Sequence, residues 1–318
     1  MKEEYLKAKE LIEEYDTIII HRHSNPDGDA IGSQIGLKAI IELNYPEKDV
    51  YVVGDELGRY SFMYNKKMDN VETEVFKKSL SIVLDTSSPS LISDDRYTLA
   101  KETLCFDHHL FIEKFCDIEI IDSSRESCAS LVADFAYSTG LKVDSVSAKS
   151  LFTGIVTDSG RFLYDSVSPS TFTLCSYLLS TGFSIGDIYA SLYNEDFASL
   201  KRRGYFIDRI KVTDSSVAYA YITKKDVEKM GTTPFSISRG FVNTMANIKG
   251  VGIWVSFTED EDGILCELRS RDKNINPIAV KYGGGGHKKA SGAKVKSKEE
   301  AMMMLDDLNK EATSNEEN

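Results

Sequence analysis

The sequence lacks a long apolar run, and it lacks an excess of positive charge. No stretch reaches the roughly 20 apolar residues of a membrane-spanning helix. The charged amphipathic stretch "MKEEYLKAKELIEEY" at the N-terminus lacks the apolar segment of a secretion signal. We therefore expect a soluble, cytoplasmic protein without a membrane partner. The net charge of -12 argues against coating of long nucleic acid through counterion release, but it leaves short oligonucleotides and mononucleotides open as partners.

Cysteine and histidine are also scarce. The five cysteines are odd in number, widely separated and free of C-x-x-C spacing, so they indicate neither a disulfide framework nor a zinc knuckle. The five histidines fall into three short clusters, each beside aspartates or glycines. A lone histidine is more often a structural residue than a ligand. Five histidines that all lie in such clusters indicate functional sites.

Short apolar runs alternate with amphipathic segments up to about residue 165. This alternation is typical of an α/β fold, in which helices cover a doubly wound, mostly parallel sheet. Helices are predicted at 30–43 and 127–139, and Ser124 or Ser127 is expected to cap the second. The apolar runs occupy residues 17–20, 50–53, 80–85, 103–107, 118–122 and 151–158.

The C-terminal part has a different pattern, which predicts a second, smaller domain of mixed α+β type. Residues 217–223 alternate with period two, and residues 252–271 are typical of a hairpin whose turn holds Asp262 and Gly263. We predict a catalytic domain at 1–190, a helical linker at 191–212 and the second domain at 213–318. The active site is expected in the cleft between the two domains.

Four of the apolar runs lead into aspartates or histidines, and this arrangement predicts a metal site. They are followed by "HRHSNPDGD", by Asp85, by "DHH" at 107–109 and by Asp158. In an open α/β sheet, ligands bind at the carboxyl ends of the strands, so the four ends can converge. Carboxylates brought this close repel one another unless a cation lies between them. Carboxylate and imidazole ligands without thiolates suit Mn²⁺, Mg²⁺ or Zn²⁺.

Each of these motifs also has a purely structural interpretation. The Asn-Pro and Asp-Gly pairs of "NPDGD" favour a tight turn. Asp85 is a possible cap of a following helix, and Asp158 with Gly160 is a possible helix end. The three polar residues of "DHH" could be surface residues, although they follow the apolar run 104–106. These interpretations are independent of one another, whereas a metal site accounts for all four motifs together.

In their order along the chain, the motifs resemble those of the DHH/DHHA1 phosphoesterases. "NPDGDAIGS" is similar to the family's first motif, D-x-D-x-x-x-S, which ends here at Ser33. Asp85, "DHH" and Asp158 are similar to the second, third and fourth motifs, and "GGGGHKKASG" at 283–292 to the DHHA1 signature. The resemblance covers nearly the whole chain. Within the family it is strongest to the bacterial oligoribonucleases that also dephosphorylate 3′-phosphoadenosine 5′-phosphate (pAp).

The resemblance implies two divalent metal ions, commonly Mn²⁺ in this family, with Asp85 as the bridging ligand. One ion would be held by His23, Asp27 and Asp85, and the other by Asp29, Asp85, His108 and Asp158. The resemblance also implies that His21, Ser33 and Asp107 lie around the metal ligands and hold them in position. The implied catalytic residues are Asp85, His108 and His109. His109 would face the scissile phosphate as a hydrogen-bond donor or as an acid for the leaving oxygen.

The C-terminal domain offers donors for a substrate. From Glu267 to Lys296 the chain has eight basic residues and two acidic ones, and four consecutive glycines allow backbone N–H groups to approach an anion. The resemblance implies a substrate loop that contains Arg269, Ser270, Gly284, Gly285, Gly286 and His287. Lys201–Arg203 would contact the substrate or only solvate the linker helix, and the second interpretation is favoured.

The predicted reaction is hydrolysis of short oligoribonucleotides and linear dinucleotides, such as pApA, to mononucleotides, with pAp as a possible further substrate. Two cations about 3.5 to 4 Å apart lower the pKa of a bridging water and clamp the attacking and leaving oxygens at phosphorus. One alternative is a phosphodiesterase for cyclic di-AMP, because the motifs do not distinguish a cyclic dinucleotide from its linear product. A second is a nucleotide sensor without turnover, although every expected ligand is present. The sequence leaves a homodimer open.

Overall fold

The computed structural model describes residues 2–314, which divide into two compact units with the boundary between Asn194 and Glu195. In this part of the chain, no helix combines the length and apolar character needed to cross a membrane. The predicted linker, 191–212, holds the end of one helix, a complete helix and a short strand. The first unit contains α1 (Lys2–Glu14), β1 (Thr17–His21), α2 (Gly28–Asn44), β2 (Asp49–Val52), α3 (Thr73–Phe76), β3 (Leu80–Leu84), β4 (Glu102–Asp107), β5 (Ile118–Ile121), α4 (Cys128–Thr139), α5 (Ser145–Asp158), α6 (Pro169–Leu179) and α7 (Ile185–Tyr193).

The five strands of the first unit form one parallel sheet in the order β2-β1-β3-β4-β5. The chain moves outward from β1 to β2 and then crosses to β3 on the other side, so the doubly wound prediction is confirmed. In such sheets ligands bind where the strand order reverses, outside the carboxyl ends of the strands. Here that point lies between β1 and β3.

The two faces of the sheet are covered differently. Ile18 and Ile20 belong to the main apolar core, which the long helices α1, α2, α4 and α5 help to form. Ile19, on the opposite face, packs in a small cluster with Val53 and Phe76. Phe76 of α3 and Tyr97 of a short 3-10 helix, Asp95–Leu99, pack against this second face. Because both faces are buried, β3 is fully buried and its sequence is almost entirely apolar.

The strand implied by the apolar run 151–158 is wrong, because these residues form the last part of helix α5. A helix that is buried on nearly all sides has an almost continuous apolar sequence, which resembles that of a buried parallel strand. Residues Ser147, Ala148 and 150–156 are all buried. Asp158 is therefore the last residue of a helix, as the structural interpretation of that motif predicted. Its side chain nevertheless belongs to the cluster described below.

A row of glycines allows α2 and α5 to approach closely. Gly28, Gly32 and Gly36 lie four residues apart and therefore share one face of α2. A Cβ atom at Gly32 would lie 2.7 Å from the carbonyl oxygen of Ser150 and 2.9 Å from the Cα atom of Gly154. Since Asp29 lies in the first turn of α2 and Asp158 ends α5, this contact fixes the distance between the backbones of two of the predicted ligands.

The second unit contains a six-stranded mixed sheet in the order β10-β11-β9-β8-β7-β6, in which only the β7–β8 pair is parallel within the described residues. The predicted hairpin is confirmed: β8 and β9 pair over their full length around Glu261 and Asp262. The elements of this unit are α8 (Phe197–Ile207), β6 (Ile210–Val212), β7 (Val217–Ile222), α9 (Lys224–Met230), α10 (Pro234–Phe241), β8 (Ile253–Asp260), β9 (Gly263–Ser270), α11 (Asn276–Lys281), β10 (Gly285–His287), β11 (Ala290–Val295) and α12 (Lys298–Thr313).

The close contact between α2 and α5 predicts that Gly→Ala has opposite effects on stability at two positions. Gly→Ala in a helix stabilises by about 0.5–1 kcal/mol when the space is free. Gly204→Ala in α8, where a Cβ atom meets nothing within 4 Å, is expected to do so. Gly32→Ala is expected to destabilise by about 1–3 kcal/mol because it forces the two helices apart. Urea unfolding of both variants tests this, and equal stabilisation by both would contradict the close contact.

Candidate metal centre

The carboxyl ends of β1, β3 and β4, the start of α2 and the end of α5 converge on one cluster of side chains. His23 follows β1 by two residues, Asp85 follows β3 directly, and His108 follows β4 directly. Three groups of ligand atoms within 4.8 Å of one another are formed by His23, Asp27 and Asp85, by Asp29, His108 and Asp158, and by Asp85, His108 and His109. All six predicted metal ligands are therefore brought together.

Asp85 lies at the centre of the cluster. Its Oδ2 atom is 3.5 Å from Nε2 of His23, and its Oδ1 atom is 3.4 Å from Nε2 of His108 and 3.8 Å from Nδ1 of His109. The residue has a φ of +55°, in the left-handed region that Asp adopts more readily than most residues. This conformation turns the chain directly at the strand end. Asp85 is 2% exposed, so nearly all its contacts are with protein atoms.

The first turns of two helices hold the carboxylates of the D-x-D motif. Asp27 caps α2, because its Oδ1 atom accepts the N–H groups of Asp29 and Ala30. The fully buried Asp29 accepts the N–H groups of Cys128 and Ala129 at the start of α4, at 2.6 and 2.9 Å. Negative charge is favoured at helix N-termini. These bonds fix both carboxylates before any ligand arrives.

Backbone carbonyl oxygens fix the orientation of two imidazoles. Nδ1 of His23 is 2.8 Å from the carbonyl oxygen of Ser24, and Nδ1 of His108 is 3.2 Å from that of Arg125. A carbonyl oxygen only accepts, so Nδ1 carries the proton in both rings. Nε2 of each ring points to Asp85 and is the atom that can bind a metal ion once it has lost its own proton.

His109 is held differently from the other two histidines. Its Nδ1 atom is 2.7 Å from Oδ1 of Asp107, and its side chain is 45% exposed. Asp107, one of the positions implied to support the ligands, thus lies against the imidazole of His109. The bond with Asp107 raises the pKa of His109, which favours a protonated ring.

The cluster passes a direct test for a bound cation. Oδ1 of Asp85 is buried and has no hydrogen-bond partner among the described residues. Nε2 of His108 lies 3.4 Å away without forming a hydrogen bond, so the lost hydration of this oxygen is compensated only in part. Unmet hydration costs more for a charged group than for a neutral one. A cation within reach of Oδ1 removes that cost. The donor set of carboxylates and imidazoles fits a divalent ion such as Mn²⁺, Mg²⁺ or Zn²⁺.

The pKa values of the cluster reflect crowding of opposite charges in a buried space. Burial lowers the pKa of His23, but contacts with Asp27 and Asp85 outweigh it and raise that pKa to about 10. His108 has a pKa of about 10 for the same reasons, through Asp85 and Asp29. Burial and the charge of Asp85 raise the pKa of Asp29. Without a metal ion, protons supply part of the positive charge that the carboxylates require.

Two predicted supporting residues do not contact this cluster within the described part of the chain. Nε2 of His21 is 3.2 Å from Oγ of Ser81, and the ring lies against Phe76 and Tyr97 on the less covered face of the sheet. Successive strand side chains alternate between faces, which explains this placement. Ser33 is buried inside α2, and its hydroxyl group donates to the carbonyl oxygen of Ala30.

Sequence reasoning missed Arg22, a buried residue directly before His23. Its guanidinium donates to Oε1 of Gln34 at 2.8 Å, to the carbonyl oxygen of Asp55 at 2.5 Å and to that of His23 at 3.4 Å. The side-chain amide of Gln34 donates in turn to carbonyl oxygens at the ends of β1 and β2. These bonds tie the His23 loop to the chain after β2. The polar Gln34 within the apolar helix α2 was the available signal.

In the second unit, close packing accounts for part of the glycine run. The N–H groups of Gly283 and Gly284 donate to carbonyl oxygens of α11, so they are not available to an anion. A Cβ atom at Gly284 would overlap the carbonyl oxygen of Gly292 in β11. The predicted phosphate-binding role of Gly284 thus conflicts with the structure. Gly285, Gly286 and His287 form β10, where Gly286 and His287 are exposed.

The predicted basic patch is smaller than the local sequence indicates, because acids from other segments neutralise it. Lys281 pairs with Asp307 at 2.6 Å, and Lys294 pairs with Asp260 at 3.0 Å. Arg269 forms an ion pair with Glu267, and the hydroxyl group of Ser270 donates to the carbonyl oxygen of Lys273. Residues Lys288 and Lys289, next to His287, are exposed. Lys201–Arg203 lie in α8, where Arg203 pairs with Glu195 and Arg202 donates to the carbonyl oxygen of Met230.

Comparison with known proteins finds one family model that matches within each of the two units. Residues 17–155 match the model of the DHH family, N-terminal domain, and residues 214–314 match that of the DHHA1 domain. The chain is 35% identical to the bifunctional oligoribonuclease and PAP phosphatase NrnA of Bacillus subtilis, over 97% of each chain. It is 29% identical to the cyclic-di-AMP phosphodiesterase PdeA of Listeria monocytogenes, over 88% of this chain but 45% of that protein. An exopolyphosphatase-related protein from Bacteroides fragilis has a similar structure, with a TM-score of 0.85, 28% identity and 98% and 96% coverage.

The raised pKa values of His23 and His108 predict that binding of a metal ion releases protons. In the metal-free protein both rings are protonated at pH 7, since pH 7 lies below a pKa of about 10. A metal ion requires the neutral ring, so the apparent affinity should rise about tenfold per pH unit for each proton displaced. Titration calorimetry with Mn²⁺ at pH 6, 7 and 8, in buffers of different ionisation enthalpy, measures this release. An affinity independent of pH, without proton release, would contradict it.

Proposed function

This chain belongs to the DHH family of phosphoesterases and carries the DHHA1 domain, and on this basis we propose that it is a metal-dependent hydrolase of short oligoribonucleotides. Its substrates are linear dinucleotides such as pApA and other short RNA, which it cleaves to mononucleotides, and pAp, which it dephosphorylates. The observation that carries the proposal is the convergence of three imidazoles on the buried carboxylate of Asp85. That arrangement suits phosphoester hydrolysis by metal-activated water.

Two divalent ions, Mn²⁺ in the first instance, are the proposed cofactors. One would be held by His23, Asp27 and Asp85, and the other by Asp29, Asp85, His108 and Asp158. When bound, the ions would lower the pKa of a water molecule and offset the negative charge on the phosphate oxygens. The protein side of this arrangement is rigid, since Asp27 and Asp29 are bonded to helix N-termini and both imidazoles to carbonyl oxygens.

His109 is the proposed acid that protonates the leaving oxygen. Its Nδ1–H group donates to Asp107, which leaves Nε2 to carry the second proton. The bond raises the pKa of His109, so a larger fraction of the ring is protonated near neutral pH. A positioned acid of this kind contributes about 10²- to 10⁴-fold to a rate. Because the ring is partly exposed, its Nε2 atom is accessible to a substrate.

The exposed end of the glycine segment is the proposed contact for the terminal nucleotide of the substrate. Gly286 and His287 are exposed in β10, and Lys288 and Lys289 follow them directly. Two lysines and an imidazole suit a phosphate or a nucleotide, whereas the net charge of -12 disfavours long strands. A cytoplasmic location and a homodimer stay predictions.

Linear substrates are favoured over cyclic di-AMP. The chain is similar to a cyclic-di-AMP phosphodiesterase at 29% identity, over 45% of that protein. The similarity to an oligoribonuclease and PAP phosphatase extends over 97% of both chains. A sensor without turnover is disfavoured because all six predicted ligands are present and assembled.

The proposal is tested by product release from pApA, a short RNA, pAp, cyclic di-AMP and pyrophosphate, with Mn²⁺ and with EDTA. We expect Mn²⁺-dependent release of mononucleotides from pApA and the short RNA, and of phosphate from pAp. Asp85→Asn should lower turnover by at least about 10³-fold, because one substitution removes a ligand shared by both metal groups. Asp306→Asn, an exposed position on α12, is the matched control and should retain activity.

Two outcomes would overturn the assignment in different ways. Tight nucleotide binding without turnover of any substrate would make the chain a sensor. Preferred turnover of cyclic di-AMP would move the alternative phosphodiesterase to first place.

The contact between Asp107 and His109 predicts a shift in the pH profile. His109 must be protonated to act as an acid, so activity falls on the alkaline side as pH rises through its pKa. Asp107→Asn removes the bond that raises this pKa, and the alkaline limb should therefore move to lower pH. The measurement is kcat against pH for pApA. With a p-nitrophenyl nucleotide ester, whose leaving group needs no acid, the shift should disappear; an unchanged alkaline limb for pApA would exclude this role.

A further inference from the structure

A cavity of about 350 Å³ in the first unit lies directly beside the candidate metal centre. Its walls are residues 25–27, in the loop that carries the D-x-D motif, and residues 56–60, after β2. The N–H group of Asn25 donates to Oδ2 of Asp55 at 2.9 Å, which joins the two segments. Asp27 belongs both to the cavity wall and to a group of ligand atoms in the metal cluster. A molecule in the cavity is therefore next to the reacting centre.

Arg59 is the cation of this cavity. The residue is exposed, and its Nη2 atom donates to the hydroxyl group of Tyr60 at 2.5 Å. The guanidinium carbon lies 4.7 Å from the centre of the Tyr60 ring. Tyr60 itself is 7% exposed and packs in the main core. The ring thus restrains the guanidinium, which lowers the entropy lost when it binds an anion.

Within the described residues, no carboxylate forms an ion pair with Arg59. The acids in the cavity wall are Asp27 and Glu56. One oxygen of Asp27 already accepts two backbone N–H groups, and its charge is neutralised when the centre holds a cation. Glu56 is exposed, so solvent screens its repulsion of an anion. Arg59 is then the group that can attract a phosphate into the cavity.

The two proposed substrates share one chemical feature that such a cavity can recognise. In pApA and in pAp, water adds to a phosphorus atom, the bond from phosphorus to a 3′ oxygen breaks, and that oxygen takes a proton. The leaving group is the same in both reactions: adenosine 5′-phosphate. The 5′ phosphate of this leaving group takes no part in the reaction. It is attached to the same adenosine whose 3′ oxygen is bonded to the reacting phosphorus, so it lies at a fixed range of distances from the reacting centre.

We propose that this cavity is a subsite for the 5′ phosphate of the leaving nucleotide, and that Arg59 is the residue that binds it. The inference rests on the proposed function and adds to it a physical reason why one site accepts both an RNA dinucleotide and a bisphosphorylated nucleoside. Substrates that lack the 5′ phosphate should be hydrolysed less efficiently. Arg59 is a specificity-determining residue in this arrangement.

The test compares matched substrates that differ only in the 5′ phosphate: pApA with ApA, and pAp with adenosine 3′-monophosphate. For the unaltered protein we expect a higher kcat/KM for the phosphorylated member of each pair. Arg59→Ala should reduce this ratio roughly 10- to 100-fold, the range of a lost hydrogen bond to a charged group. Arg59→Lys should retain part of the ratio, because lysine keeps the charge and loses the planar fork. A second measurement, equilibrium binding of pAp and adenosine 3′-monophosphate in EDTA, should show the same change without turnover.

Lys67→Ala, an exposed cation elsewhere in the first unit, is the control and should leave the ratio unchanged. Equal loss on both members of each pair in Arg59→Ala, or no loss on either, would overturn the inference while leaving the hydrolase assignment intact. A fall in the ratio with His287→Ala and none with Arg59→Ala would place recognition of the 5′ phosphate in the second unit and would also overturn it. Absence of all turnover by the unaltered protein would instead remove the proposed function itself.

Discussion

Repulsion between buried carboxylates is the constraint on which the rest of the centre depends. Asp29 and Asp85 are both buried, and both lie within 4 Å of the same imidazole nitrogen of His108. Two ionised carboxylates this close, away from water, strongly disfavour each other's charge. The structure compensates them unequally: Asp29 accepts two N–H groups of α4, whereas one oxygen of Asp85 is left without a partner. This oxygen has imidazoles nearby but no hydrogen bond, so it is the point where a cation would most relieve the repulsion.

The fold supports this arrangement by holding His23, Asp27, Asp29 and His108 in place without a metal ion. The glycine face of α2 lies against α5, so Asp29 and Asp158 are brought together by backbone contact and not by flexible side chains. The strand ends deliver His23, Asp85 and His108 where the order of the sheet reverses. Preorganised ligands of this kind lose little entropy on binding, and small displacements of their supports reduce affinity or activity.

The second unit shows why local counts of charge are poor guides to a binding surface. The segment from Glu267 to Lys296 is strongly basic in the sequence, yet Lys281 and Lys294 pair with acids outside it. The glycines likewise have a packing reason, since Gly284 lies against the backbone of β11. Among the described residues, the exposed side chains of this segment that form no ion pair include His287 in β10 and the two lysines that follow it, Lys288 and Lys289. In the first unit, by contrast, Arg59 was not singled out from the sequence, and only its place beside Asp27 indicates a role.

The sequence alone was sufficient to predict the alternation of strands and helices, the doubly wound sheet and the side chains that gather in the candidate metal centre, because these depend on short-range patterns and on residue types in fixed order. It did not distinguish the buried helix that ends at Asp158 from a strand, since burial on all sides removes the periodicity that separates them. The tertiary structure was needed to show that Arg22 ties together the loops after two strands and which lysines are neutralised, because the partners of these residues lie far away in the chain. It also showed which face of the sheet each side of β1 meets, and with it that His21 points away from the cluster.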